Sequence, residues 1–158
     1  MIMDIYCNAD NFALAKQIFD HLPDNGLEAD SFTFSILIKG LKNCTDNKIE
    51  NAMNLFRKYK RTSDNKEIVV YNSLLYLLIT ENEKEKVERI FDDMIKENVK
   101  PDEITFNTII KGSCSNKDIE YSFLFFKKMK DFNLTPNRIT YNSLMDLAMK
   151  IDKMDIAL

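Results

Sequence analysis

Residues 68–112 read IVVYNSLLYLLITENEKEKVERIFDDMIKENVKPDEITFNTIIKG, and residues 134–147 read LTPNRITYNSLMDL. An aromatic followed by asparagine recurs through them at Tyr71-Asn72, Phe106-Asn107 and Tyr141-Asn142, 35 residues apart each time. The series extends backward to Phe34-Ser35, 37 residues before Tyr71. A second series, Phe19, Phe56, Phe91 and Phe126, has the same spacings of 37, 35 and 35. A third is mostly small: Ala15, Ala52, Val87, Ser122 and Ala157. Agreement of independent series at one period is the signature of tandem repeats, and it decides the architecture before any local reading does.

The series divide the chain into repeats at residues 1–30 (lacking its opening), 31–67, 68–102, 103–137 and 138–158 (cut short), all within one repeat domain, 1–158. The apolar series Met3, Ile38, Leu75, Ile110 and Met145 has its long gap after Ile38. The two extra residues of repeat 31–67 therefore lie between Ile38 and Ala52, and the polar stretch 43–48 is the place for them, since insertions are best tolerated in turns.

Each repeat reads as two helices. In the fourth, Ile104, Phe106, Ile109, Ile110 and Cys114 form one apolar stripe, Ser115-Asn116 break it, and Ile119, Phe123, Phe126 and Met129 form the next. Asp102 stands where an N-cap is needed, and Pro101 and Pro136 end the helices before them. Three glycines and three prolines leave few turns for sheets. A helix pair of this size cannot bury its apolar face alone, so neighbours stack. The expected fold is all-α, an α–α superhelix (solenoid) of helix–turn–helix repeats. The small series allows close helix approach, and the phenylalanine series fills the space between pairs.

The hydrophobic-Thr-aromatic-Asn-Ser/Thr opening, the Phe…Met…Lys-Pro-Asp close and the 35-residue period resemble the pentatricopeptide repeat family, over essentially the whole chain. A tetratricopeptide reading fails on its 34-residue period and its tryptophan, which this chain lacks. The resemblance implies single-stranded RNA binding, mostly in mitochondria or other organelles, with about one base read per repeat. It implies two readers per repeat: the residue after the opening aromatic and the last residue of the repeat. These are Ser35 with Glu67, Asn72 with Asp102, and Asn107 with Asn137, while Asn142 opens a further pair and Asp30 closes an earlier one. By the same resemblance Asn72/Asp102 favours uracil, Asn107/Asn137 a pyrimidine (cytosine over uracil), and Ser35/Glu67 has no assigned base. Phe32, Val69, Ile104 and Ile139 match the residues that pack on base faces.

The side-chain chemistry agrees with such a role. An asparagine amide both donates and accepts, whereas an ionised aspartate only accepts and so selects an edge bearing N–H. Asparagine is also a mediocre helix former. Bland roles stand beside these: duplication explains a repeated Asn, capping explains Asp102 and Asn137, and inter-repeat core explains Val69 and the isoleucines.

Net charge is −3, distributed over the repeats as −5, +4, −3, +1 and 0. The family's phosphate-facing lysine late in each first helix is replaced by Asn8, Asn43, Thr80 and Ser115, and is present only as Lys150. Lys39 and Lys111 are further candidates for phosphate contact. The basic run 57–61 lies on a second helix, where a solvated face is expected. The acid balance motivates an alternative function, a helical-repeat protein-interaction scaffold such as a structural ribosome-associated component.

No catalytic constellation is legible, so the expectation is a non-enzyme without cofactor, metal or small-molecule substrate. Cys7, Cys44 and Cys114 form no CxxC pair, and His21 is the single histidine. Cys7 and Cys114 occupy equivalent places and read as core. The glutamates 81, 83, 85 and 88 interleave with Lys84, Lys86 and Arg89 around a helix start, where acidic residues suit the dipole. The longest apolar run, 74–79, is far too short to cross a bilayer, so no membrane association is expected. The start MIMDIYCNADNF shows no targeting peptide, and the partial end repeats suggest part of a longer array.

Overall fold

The computed structural model describes residues 12–44, 46–63 and 66–152. All of their regular elements are helical. They fall into two compact units, divided between residues 77 and 78. The first holds α1 (Phe12–Asp20), α2 (Ser31–Gly40), α3 (Lys48–Thr62) and most of α4 (Ile68–Thr80), with 3-10 turns at Pro23–Asn25 and Leu41–Asn43. The second holds α5 (Lys84–Lys96), α6 (Glu103–Ser115), α7 (Ile119–Asp131) and α8 (Arg138–Asp152). The link from Asn43 to Lys48 is one residue longer than those joining α4 to α5 and α6 to α7.

Side-chain caps start α2, α6, α7 and α8, whereas α3 and α5 have none. Asp30 Oδ1 accepts from the Thr33 amide at 2.7 Å and from its hydroxyl at 2.6 Å. The hydroxyl bond, then the amide bond, holds the Asp30 carboxyl below its ordinary value. Asp102 forms a reciprocal box with Thr105: the Thr105 amide donates to Oδ1 at 2.8 Å, and the Asp102 amide donates to Thr105 Oγ1 at 3.3 Å. Asn137 and Thr140 repeat it, with Ile139 N–H donating to Asn137 Oδ1 at 2.9 Å and Asn137 N–H to Thr140 Oγ1 at 3.1 Å. Helix ends are closed by residues in the left-handed region, Asn82, Asn98, Lys117 and Asn133, at φ of 57–59°. The following amide then reaches back past the whole last turn, as in Val99 N–H to Met94 O at 3.0 Å and Leu134 N–H to Met129 O at 3.1 Å. Asparagine tolerates this conformation better than most residues, which explains three of the four.

Two of the sequence series meet, in the core for the first three pairs and at the surface for Phe126 and Tyr141, where Phe125 takes the buried place instead. Each second-helix phenylalanine meets the opening aromatic 15 residues later, edge to face: Phe19–Phe34 at 5.3 Å, Phe56–Tyr71 at 5.1 Å, Phe91–Phe106 at 5.5 Å and Phe126–Tyr141 at 6.0 Å. Such pairs contribute about 0.5–1.5 kcal/mol each beyond their area. Ala15, Ala52, Val87 and Ser122 are fully buried, while Ala157, like Met3, Cys7 and Asn8, lies outside the described residues. A Cβ on Gly112 would sit 2.5 Å from Ile79 Cγ2, so these helices pack at glycine distance. Cys114 is buried as expected; burial pushes its thiol up, and it lies 3.5 Å from Ser122 Oγ.

Candidate nucleic-acid interface

Residues spaced i, i+3 and i+7 share one face of a helix. On α6 that face carries Ile104, Asn107 and Lys111; on α2, Phe32, Ser35 and Lys39; on α4, Val69, Asn72 and Tyr76; on α8, Ile139, Asn142 and Asp146, with Lys150 one turn beyond Asp146. The three lysines are exposed. Ile104 is 64 % exposed, Ile139 54 % and Phe32 51 %. Ile104, flanked by described helices on both sides, thus stands outside the inter-repeat core, whereas Val69 is half-buried.

The second unit contains both members of one expected reader pair. Asn107 Nδ2 donates to Asn137 Oδ1 at 3.3 Å. Thr140 Oγ1 donates to Asn107 Oδ1 at 2.6 Å, and Asn137 Nδ2 donates to Glu103 Oε2 at 2.9 Å. One polar cluster thus caps α8 and fixes both amides. Each amide nitrogen keeps a second N–H, and Asn107 Oδ1 keeps a lone pair. Asn137 Oδ1 has no such reserve, because backbone amides 139 and 140 both donate to it. Capping and presentation of an amide edge are compatible in one residue. Ile104, one turn before Asn107, and Ile139, just past Asn137, add two exposed apolar side chains near this cluster.

The remaining positions differ from one another. Asn72 is half-buried on α4 in the first unit, and Asp102 is committed to the cap of α6 in the second. Asn142 is exposed on α8. Glu67 is exposed, and its backbone N–H donates to the Tyr59 hydroxyl at 2.6 Å. Ser35 is the expected reader position that the fold closes off. It is fully buried, and its Oγ reaches no hydrogen-bond partner. Ser35 is 0 % exposed against 9 % for Asn107 at the equivalent place, and its shorter side chain carries no amide, so direct base contact from Ser35 is not supported.

Sequence reasoning missed three contributors. Thr140 anchors Asn107, Glu103 holds Asn137, and Tyr76 stands 37 % exposed on the α4 face with Lys42 Nζ 5.7 Å from its ring centre. The recurrence of Thr33, Thr105 and Thr140 was a signal for the first; nothing local marked the other two. In the basic run, Arg57 and Lys58 are exposed, with Arg57 on Asn54 at 2.7 Å and Lys58 over Phe19 at 4.3 Å, which fits a solvated face. His21 has a carboxylate neighbour that no motif announced, Asp24 at 3.0 Å, and both side chains are 73 % exposed. No group of metal-ligating residues occurs among the described residues, and no helix there is long and apolar enough to cross a membrane.

Comparison with known proteins follows the same lines. The model of the PPR repeat family matches residues 1–43, 66–115 and 102–150. Among curated proteins of Arabidopsis thaliana, one pentatricopeptide repeat-containing protein is 30% identical over 97 residues, 60% of this chain and 19% of its own length. A chloroplastic one is 31% identical over 103 residues, 65% of this chain and 15% of its own length. A mitochondrial one is 26% identical over 128 residues, 78% of this chain and 13% of its own length. The chain thus spans less than a fifth of each of these relatives. Among solved structures, the pentatricopeptide repeat protein PPR10 from maize superposes with a TM-score of 0.80 at 23% identity, over 96% of this chain and 22% of that one. PPR10 in complex with an 18-nt psaJ RNA element gives 0.81 at 19%, over 94% and 22%. The PPR domain of Arabidopsis thaliana protein-only RNase P 1, in complex with tRNA, gives 0.71 at 12%, over 96% and 79%. At these identities the likeness speaks to the fold, and it confirms the all-α repeat solenoid class. The chain belongs to the pentatricopeptide repeat family.

Proposed function

We propose that this chain is a single-stranded RNA-binding repeat module that acts by occupying RNA, within an organellar RNA processing, stability or translation factor. The observation that carries the reading is the α6 face. Ile104, Asn107 and Lys111 stand in one row, and Asn107 is hydrogen-bonded to Asn137 beside the exposed Ile139. Such a row offers an apolar surface to a base face, amide groups to its edge and a cation to its phosphate. RNA in the complexes of PPR10 and of the RNase P 1 PPR domain supports the same class of ligand. Mitochondrial and chloroplastic relatives support an organellar setting.

The Asn107/Asn137 pair reads a pyrimidine. Asn137 Oδ1 is taken up by the cap, which leaves its Nδ2–H to donate. A donor suits N3 of cytosine, which accepts, better than N3 of uracil, which carries a proton. Asn72, at the equivalent place on α4, is the candidate reader of the first unit. Selection of randomised single-stranded RNA on the purified chain at low salt tests the proposal, with Asn72→Ala/Asn107→Ala as comparison. Enrichment of a pyrimidine-containing register that the double variant loses supports it. Absence of any enriched sequence, with a co-purifying protein partner instead, supports the scaffold reading.

A further inference from the structure

The repeat spanning residues 31–67 is the most basic, at +4, yet its first reader is the one buried out of reach. Around Ser35 the exposed face is made of other chemistry. Lys39 follows one turn later on α2, and Lys42 follows in the 3-10 turn Leu41–Asn43. Both are exposed, and neither forms an ion pair with a carboxylate among the described residues. Lys42 Nζ lies 5.7 Å from the ring centre of Tyr76, which joins the α2 row to the α4 row of Val69, Asn72 and Tyr76. Tyr76 follows Asn72 by one helical turn and is 37 % exposed although the rest of α4 around it, Leu74, Leu75, Leu77 and Leu78, is buried. An aromatic ring kept at the surface of so apolar a helix, with a lysine ammonium over it, offers a π face and a cation together.

We infer that Lys39, Lys42 and Tyr76 form an RNA clamp in which the lysines bind consecutive phosphates and the tyrosine ring stacks on a base, holding the strand without reading it. This rests on the RNA-binding reading and assigns a different job to one repeat. Stacking is indifferent to sequence because every base has a π face, and phosphate contacts carry no sequence information. The clamp supplies the affinity that the scarcity of lysine at Asn43, Thr80 and Ser115 withholds elsewhere.

The chain has no tryptophan, so Tyr76→Trp installs a single fluorescent reporter that preserves an aromatic ring. Titration with a mixed-sequence single-stranded RNA oligonucleotide quenches that fluorescence if a base stacks on the ring. Tyr76→Ala weakens binding about fivefold or more, the lower end for one stacked base. Lys39→Ala/Lys42→Ala lowers the slope of log affinity against log salt by about 1.4, at roughly 0.7 per phosphate contact on a single strand. None of the three changes the base preference, whereas Asn107→Ala does. Far-ultraviolet circular dichroism identical to that of the unaltered protein establishes that each variant is folded. RNA binding that leaves the indole fluorescence of the Tyr76→Trp protein unquenched, together with an unchanged salt slope, overturns the clamp and leaves the RNA reading intact. Failure of the unaltered protein to bind any RNA at low salt overturns both.

Discussion

Replacing Asn137 separates its cap from its proposed base contact. Asn137→Ala removes the cap acceptor of α8, which costs about 1 kcal/mol. It also takes the partner from Asn107 Nδ2, and Asn107 is only 9 % exposed, so its unsatisfied donor costs about 1 kcal/mol more. The hydrogen bond to Glu103 is exposed and adds little. The sum is about 2 kcal/mol, and for a chain of this size that lowers the melting temperature by roughly 4–8 °C. Asn137→Asp keeps the acceptor for amides 139 and 140 and for Asn107, and it places a negative charge at a helix start, worth about 0.3–1 kcal/mol. Against this stands a second carboxylate beside Glu103, 2.9 Å from the replaced nitrogen. The two nearly cancel, and the melting temperature stays within about 3 °C. The base read at this register changes, because an acceptor-only side chain demands an N–H. Preference moves from cytosine toward uracil by about fivefold, the worth of roughly 1 kcal/mol for one hydrogen bond. Differential scanning calorimetry and fluorescence anisotropy with oligonucleotides differing at one base measure both effects. An Asn137→Ala protein that melts with the unaltered one refutes the capping network. An Asn137→Asp protein that melts normally and keeps the original preference refutes base contact by this residue.

Other perturbations probe other links. Ile104→Ser/Ile139→Ser leaves the melting temperature unchanged, since both side chains are more than half exposed, but weakens RNA binding; a large thermal loss would return these residues to the core. Gly112→Ala destabilises by about 1–2 kcal/mol despite alanine's better helix propensity, because Ile79 Cγ1 and Cγ2 stand 2.7 and 2.5 Å from the new Cβ. Denaturant titration reads that loss, and in Ile79→Ala the same glycine substitution costs less; strict additivity would show that the two do not touch. Asp30 has a lowered carboxyl pKa in the folded chain, so its cap contributes fully above its ordinary value of 3.8 and is lost as pH falls through the folded value. Asp30→Ala therefore narrows the stability gap to the unaltered protein in acid, and a gap constant down to about pH 2 would contradict the cap.

The period, the helix pairs and the caps were legible in the order of residues because each depends on local or strictly recurring chemistry. Asp102 before an apolar run is a helix start wherever it occurs, and a spacing of 35 identifies equivalent places without knowing what fills the space between them. The same spacing placed Asn72, Asn107 and Asn142 at equivalent positions of their own helices. What it did not decide was which equivalent positions remain equivalent in space. Ser35 and Asn107 share a register, yet one is sealed and the other is joined to Asn137 and Thr140, residues 30 and 33 positions away. Ile104 and Ile139 carry apolar side chains that any sequence reading assigns equally to a core or to a surface; only the packing of neighbouring helices left them outside. Tyr76 stood unremarked in a run of leucines until the fold kept it at the surface under Lys42. Repetition is written in sequence, whereas exposure and partnership across repeats depend on how the helices pack, which is a property of the whole chain and of no single segment.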